Sequence, residues 1–247
     1  MSRRVEVGFS QRIQLNWLEL TANLLLAGST RSEIQTALNE FLQDKVSVGS
    51  ESKSSGRRKT ISILLKIWVG VPTNLEPLRN EALELLRISP SNQHIVIHWG
   101  MAMAVYPFFG TVAENVGRLL RLQGLFAAAS VQRRIKEQLG ERETVSRATQ
   151  RLLRCFVDWG VLLDTSEKGV YQPASVQLVD NRRLVAWLIE AVLIASNSNS
   201  QALGVISQTP GLFPFIVSPI NLRDVEKNQR LEFFCQGLDE NMVMLRY

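Results

Sequence analysis

Apolar side chains recur along most of this chain at the three-to-four residue spacing that puts them on one face of a helix. Ile13, Trp17, Leu20 and Leu24 predict a helix over Gln11–Ala27, after a loose or pairing arm of residues 1–10. Gly28 ends that helix, and Thr30 with Glu33 matches a capping box, T-x-x-E. Ile34, Ala37, Leu38, Phe41 and Leu42 then share a face, so two antiparallel helices are expected here. SVGSESKSSG, residues 47–56, offers little apolar surface and predicts a loop. Beyond the basic run Arg57, Arg58 and Lys59, a helix over Thr60–Val69 turns Ile61, Leu64, Leu65 and Trp68 inward. Pro72 breaks it. Asn74 is the expected cap of the next helix, whose inner face is Leu75, Leu78, Ala82, Leu85 and Leu86. Residues 93–110 read as strand or buried helix by pattern alone, and their helical neighbours favour helix. Val112, Val116, Leu119 and Leu120 mark one more helix.

Val131–Gln172 has a different organisation. Val131, Ile135 and Leu139 define a short amphipathic helix that Gly140 stops. Thr144 is the expected N-cap of a longer helix with Val145, Ala148, Leu152, Leu153, Phe156 and Val157 on its apolar face. LFAAAS, residues 125–130, is read as the connection into this unit. After Gly160, VLL and VYQ flank a polar turn containing Lys168 and Gly169, a hairpin pattern. Two helices, a tight turn and a hairpin in this order predict a winged helix-turn-helix, whose second helix enters a nucleic-acid groove. Arg147, Gln150, Arg151 and Arg154 line the polar face of that helix. Arg133, Arg134, Lys136 and Arg142 precede them, and Lys168 sits on the wing. From Arg118 to Arg154 there are nine Arg/Lys against three Glu, a net of +6, whereas the whole chain carries +5. Arginine pairs its forked donors with phosphate or with the guanine edge. The plain alternative is a solvated helix face, or a winged helix that docks protein. Helix order, spacing, charge sign and wing together favour nucleic acid.

The C-terminal third repeats helices followed by a hairpin. A helix begins at Asp180–Asn181 with an apolar stripe of Leu184, Val185, Leu188, Ile189, Val192 and Leu193, interrupted by Glu190. SNSNSQ ends it. A short helix near Ala202–Ser207, a strand over residues 213–218 and a helix over Asn221–Arg230 follow. LEFFCQ and MVMLRY then flank GLDEN as a hairpin. This third resembles a second winged-helix-like unit. Residues 180–247 carry six Arg/Lys and seven Asp/Glu, so it is expected to contact protein rather than phosphate.

Composition narrows the field. Hydrophobic content of 45% and charged content of 21% are ordinary for a globular protein. Ile88–Ala113 and Ala191–Leu222 lack Asp, Glu, Lys and Arg, but proline and polar residues interrupt both, so no membrane is expected. The N-terminus has no apolar core of a signal peptide, and Cys155 and Cys235 form no CxxC. A cytoplasmic location is expected. His94 and His98, the only histidines, stand at i, i+4. That spacing suits two metal ligands, but no sequence neighbour makes a third, so a structural role is expected and no metal or cofactor. There is no GxxxxGK[ST], no GxGxxG after a strand and no GxSxG, so no enzyme activity is expected.

Two segments, SGRRKTISILLKIW and TVSRATQRLLRCFVDWGVL, sit in a layout of helices first and winged helix in the middle. Over roughly residues 11–172 that layout resembles the BrxA family of bacteriophage-exclusion (BREX) defence systems. The resemblance implies a small, mostly helical DNA-binding protein without catalytic residues, acting as an accessory of anti-phage defence. The expected fold is mostly α, in three parts. They are a helical N-terminal bundle (1–108), a central winged helix-turn-helix with a small β-hairpin wing (109–178), and an α+β C-terminal module ending in a hairpin (179–247). The expected partners are duplex DNA and a protein of a defence complex. A protein–protein adaptor and a transcriptional repressor are the alternatives.

Overall fold

A computed structural model of the chain describes residues 7–46, 53–219, 228–236 and 240–246. Its organising element is a helix with no polar face. α5 (His94–Val105) is buried at every position from Val96 to Val105. A helix apolar all round must be enclosed by other elements, and here they come from both ends of the chain. α1 (Leu15–Leu26), α3 (Lys53–Trp68) and α4 (Glu76–Ile88) pack on one part of it, α6 (Pro107–Gln123) and α9 (Arg182–Ser196) on another. α2 (Arg31–Phe41) lies against α1 and α3. The buried side chains from Phe9 to Val243 form one contiguous cluster.

Trp99 of α5 is the hub. Its ring lies 4.8–6.0 Å from those of Phe109, Phe156, Trp159, Phe213 and Phe215, mostly edge-to-face. Its indole N–H donates to the Gly211 carbonyl at 3.1 Å. Small residues allow helices close approach at two points. A Cβ on Gly100 would stand 2.6 Å from the Trp187 ring of α9, and one on Gly117 of α6 would overlap the Pro210 carbonyl. The chain turns by 117° between residues 91–105 and 107–123, with Pro107 opening α6. No single described helix is long and apolar enough to cross a membrane.

The middle of the chain runs α6, β1 (Phe126–Ala127), α7 (Ala128–Leu139), α8 (Glu143–Asp158), β2 (Leu162–Asp164) and β3 (Val170–Pro173). The three strands form an antiparallel sheet in the order β1-β3-β2. β4 (Gln177–Val179) follows and pairs in parallel with β6 (Phe215–Val217). After α9 come β5 (Ser200–Ala202) and α10 (Leu203–Ser207), then β7 (Leu231–Gln236) and β8 (Glu240–Leu245). Their order, β5-β8-β7, repeats that of the first sheet, and in both units a helix follows the first strand directly.

The structure is mostly helical, as the periodicity predicts, and the capping box forms. The Thr30 N–H donates to Glu33 Oε2 at 2.7 Å and the Glu33 N–H to Thr30 Oγ1 at 3.3 Å. The Asn181 side chain caps α9 by accepting the Leu184 N–H. Several boundaries differ. α1 starts at Leu15 rather than Gln11, because Gln14 is extended and residues 10–14 are bonded to α8. Phe9, in the expected loose or pairing arm, is fully buried against Tyr106 and Phe109. Helix α3 begins by Lys53, within the expected loop, and residues 47–52 lie outside the described residues. Asn74 sits in a 3₁₀ turn, Thr73–Leu75, and makes no cap. LFAAAS holds a strand and the first turn of α7 instead of a plain connection. Ser200 and Gln201 of the polar run, with Ala202, pair with β8. The helix expected over Asn221–Arg230 falls largely on residues 220–227, outside the described residues, and residues 228–230 form a turn.

Because Trp99 touches three separate segments, Trp99→Ala is expected to cost about 3–5 kcal/mol of stability, whereas Leu26→Ala at the surface should stay within about 0.5 kcal/mol. Urea unfolding followed by circular dichroism checks both.

Candidate nucleic-acid interface

α7 and α8 form their apolar faces as the sequence predicts. Val131 and Ile135 are buried in α7; Val145, Ala148, Leu152, Leu153 and Phe156 are buried in α8. Gly140 adopts φ 90° between them, a conformation cheap only for glycine. α8 begins at Glu143 with Arg142 at the N-cap, not at Thr144. This start puts the Glu143 carboxylate in the first turn, near the unpaired N–H groups, where negative charge is favoured. Thr144 is then an exposed residue inside the helix.

The predicted polar face of α8 divides into two halves. In the N-terminal half Arg147 and Gln150 are exposed, and Arg147 pairs one turn back with Glu143. An exposed i, i+4 pair of this kind is weak and exchanges readily for another anion. The C-terminal half is engaged by the protein itself. Arg151 donates to the Ser10 carbonyl at 2.5 Å. Arg154 grips both oxygens of Asp164 on β2, at 2.7 and 2.9 Å, and so ties the helix to the turn end of the hairpin's first strand. Arg12 binds Asp158 with both arms of its guanidinium, at 2.5 and 2.6 Å, and Gln14 adds a third bond at 2.8 Å. That contact raises the Arg12 pKa. It also supplies positive charge at the helix C-terminus, where Asp158 alone would be unfavourable.

Cys155 lies beneath this strap. Its sulfur accepts the Ile13 N–H at 3.1 Å and its thiol faces the Gln11 carbonyl at 3.6 Å. Burial pushes its pKa up to about 12, so it stays a protonated, unreactive thiol. The Trp159 indole N–H closes the strap by donating to the Ile13 carbonyl at 2.9 Å.

The remaining predicted contacts lie before α8 and on the hairpin. Arg133 is exposed, 3.9 Å from Glu137. Arg134 and Lys136 are half-buried on α7. Arg142 is exposed and reaches the Leu139 carbonyl at 3.2 Å, bridging the turn. Lys168 is exposed in the turn between β2 and β3, beside Gly169 at φ 80°. Of the nine predicted positions, Arg151 and Arg154 are held by Ser10 and Asp164, and the other seven lie away from these two contacts. Arg12 and Asp158 were not legible as partners, since 146 positions separate them.

The histidine pair has a partner that its own neighbourhood does not reveal. Glu19 of α1 sits between the two rings, 3.0 Å from His94 Nδ1 and 2.8 Å from His98 Nε2. His94 Nε2 faces the Ser89 carbonyl at 3.1 Å. His98 is fully buried, edge-on to Trp68 at 5.3 Å, and its Nδ1 meets no hydrogen-bond partner. A proton on that nitrogen would be unsatisfied, and burial lowers the His98 pKa. His98 therefore donates from Nε2 as a neutral ring. The hydrogen bond from His98 holds the Glu19 pKa down at about 2. Among the described residues no group of three His, Cys, Asp or Glu is arranged to hold a metal ion. The triad is a clasp between α1 and α5.

Both shifts act in the same direction. The unfolded chain binds a proton at His98 below about pH 6.5 that the folded chain resists, and one at Glu19 below about pH 4.5. Stability is thus full above about pH 6.5 and declines in two stages on acidification. Urea midpoints measured from pH 7.5 to pH 4 should fall, and His98→Phe should remove the stage nearest neutrality. An unchanged profile in that variant would disprove the assignment.

No protein-family model, no curated protein and no solved structure matches this chain.

Proposed function

We propose that this protein is a non-enzymatic DNA-binding accessory protein that engages duplex DNA through the N-terminal half of α8 and the β2–β3 hairpin. The observation that carries the reading is topological. Helix, short strand, two helices and a hairpin, with the strands ordered β1-β3-β2, is the order expected of a winged helix and supports this reading. In that motif the first residues of the second helix meet the base edges, and these are the residues of α8 left uncovered. Arg147 and Gln150 would enter the groove, with Arg133 and Arg142 on flanking phosphates and Lys168 on the backbone beside the wing. Arg151 and Arg154 hold the reading helix in place against residue 10 and the hairpin. An anti-phage defence role of the BREX type rests on the resemblance to the BrxA family and belongs to this proposal.

Exposed apolar side chains in the same unit favour a second reading. Leu122 is 72% exposed, Leu125 48% and Leu163 46%. These suit docking on a protein, so the unit would act as an adaptor that recruits a larger enzyme.

An electrophoretic shift with duplex DNA across salt concentrations separates the two. Arg147→Ala with Gln150→Ala should weaken binding and flatten the salt dependence by about one unit of slope, with thermal stability unchanged. Arg154→Ala should instead lower stability and loosen the hairpin. Wild-type affinity and slope in the Arg147/Gln150 variant would exclude the α8 reading, and absence of any shift at low salt would favour the adaptor.

A further inference from the structure

α2 and α3 enclose a groove of about 350 Å³ whose polar side chains are all cationic or neutral and each carry a donor. Arg31, Gln35 and Asn39 come from one face of α2, at i, i+4 and i+8. Arg57, Arg58 and Ser62 come from α3, and Ile61 and Leu65 form the floor. Among the described residues no carboxylate lines it. At one end of the groove the Arg31 guanidinium lies close beside Gly70, where a Cβ would stand 2.5 Å from its Nη1. Arg57, half-buried, lines the groove from the first part of α3.

We propose that this groove is a second binding surface for a nucleic-acid sugar–phosphate backbone, separate from α8. The donor set of arginine, carboxamide and hydroxyl groups is the one that contacts phosphate and sugar oxygens rather than base edges. The eight residue steps of α2 from Arg31 to Asn39 span about 12 Å. One strand of a duplex presents three to four phosphates over about that length of axis, at about 3.4 Å each. An isolated phosphoryl group on a peptide would engage one cluster of arginines. Here the arginines of α2 and α3 flank neutral donors along the groove, which suits a repeating polyanion. A lipid surface fits less well, because no large apolar side chain is exposed on α2 or α3 among the described residues. Arg57 and Arg58 of the basic run thus belong to a groove with α2, a relation that their own sequence does not show.

The proposal extends the DNA-binding reading but rests on different residues, so the two can fail separately. Fluorescence anisotropy of the full chain with labelled duplex and single-stranded DNA, from 50 to 200 mM salt, tests it with three variants. Arg31→Gln with Arg57→Gln should flatten the salt slope by about two units with an unchanged melting curve. Arg31→Lys with Arg57→Lys should retain the slope. A wild-type slope in the Gln variant overturns the groove, whatever Arg147→Ala with Gln150→Ala does. Loss in the Gln variant with no effect in the Arg147/Gln150 variant supports the groove and sinks the α8 reading. Wild-type protein that binds neither form of DNA overturns both. Binding of a phosphopeptide or an anionic phosphatidylserine vesicle that the Gln variant abolishes, with the DNA slope unchanged, also overturns the groove as a nucleic-acid surface.

Discussion

The rest of the fold depends on enclosing α5. A helix without a polar face cannot rest on a single layer, and the chain covers it with helices from before and after it in sequence. Trp99 shows how this is done. Its ring edges meet aromatic side chains of α6, of the end of α8 and of the segment around residues 213–215. Each such pair contributes about 0.5–1.5 kcal/mol beyond the area it buries. The larger effect is geometric, because fixing Trp99 fixes the elements that touch it relative to one another. Trp159 and Trp187 do the same with their indole N–H groups, which bond to the carbonyls of Ile13 and Leu78.

The candidate reading helix is therefore a structural member before it is an interface. Phe156 and Trp159 at its C-terminal end belong to the aromatic core, and residues 10–14 are bonded across its last turns. What remains for a partner is the outer face of the first two turns, with Arg147 and Gln150, while Val145 and Ala148 of the same turns face the core. This division explains why side chains of one type at regular spacing differ in role. Arg147 meets only an exchangeable neighbour on its own helix, Arg151 is committed to a backbone carbonyl, and Arg154 to a carboxylate on the hairpin.

Buried charge follows a similar rule elsewhere. Glu190, which interrupts the apolar stripe of α9, is only 3% exposed, and Arg230 and Asn228 satisfy both its oxygens. Glu19 is held by two imidazoles. In each case a polar residue on an apolar face marks a contact with a remote segment, since leaving it unpaired would cost more than burial returns. Glu190 joins α9 to the last sheet, and Glu19 joins α1 to α5.

Local physics was legible in the chain. Periodicity predicted helices at α2, α4, α6, α7, α8 and α9, and Thr30 with Glu33 foretold a cap that needs only four consecutive residues. The hairpins at β2–β3 and β7–β8 were legible from strand residues around polar turns. Hidden from that reading were the two-residue strand β1, which exists only because Tyr171 and Val170 lie opposite, and the parallel pairing of β4 with β6. Of the candidate interface, the sequence supplied the helix, its charge and its exposed stripe. Which of those arginines remain available was decided by residues 10–14 and Asp164, and the groove of α2 and α3 by the packing of two helices. Helix periodicity and capping are set by neighbours a few positions apart. The commitments of Arg151, Arg154, Glu19 and Trp99 are set by which surfaces must be buried together, and that is a property of the folded chain.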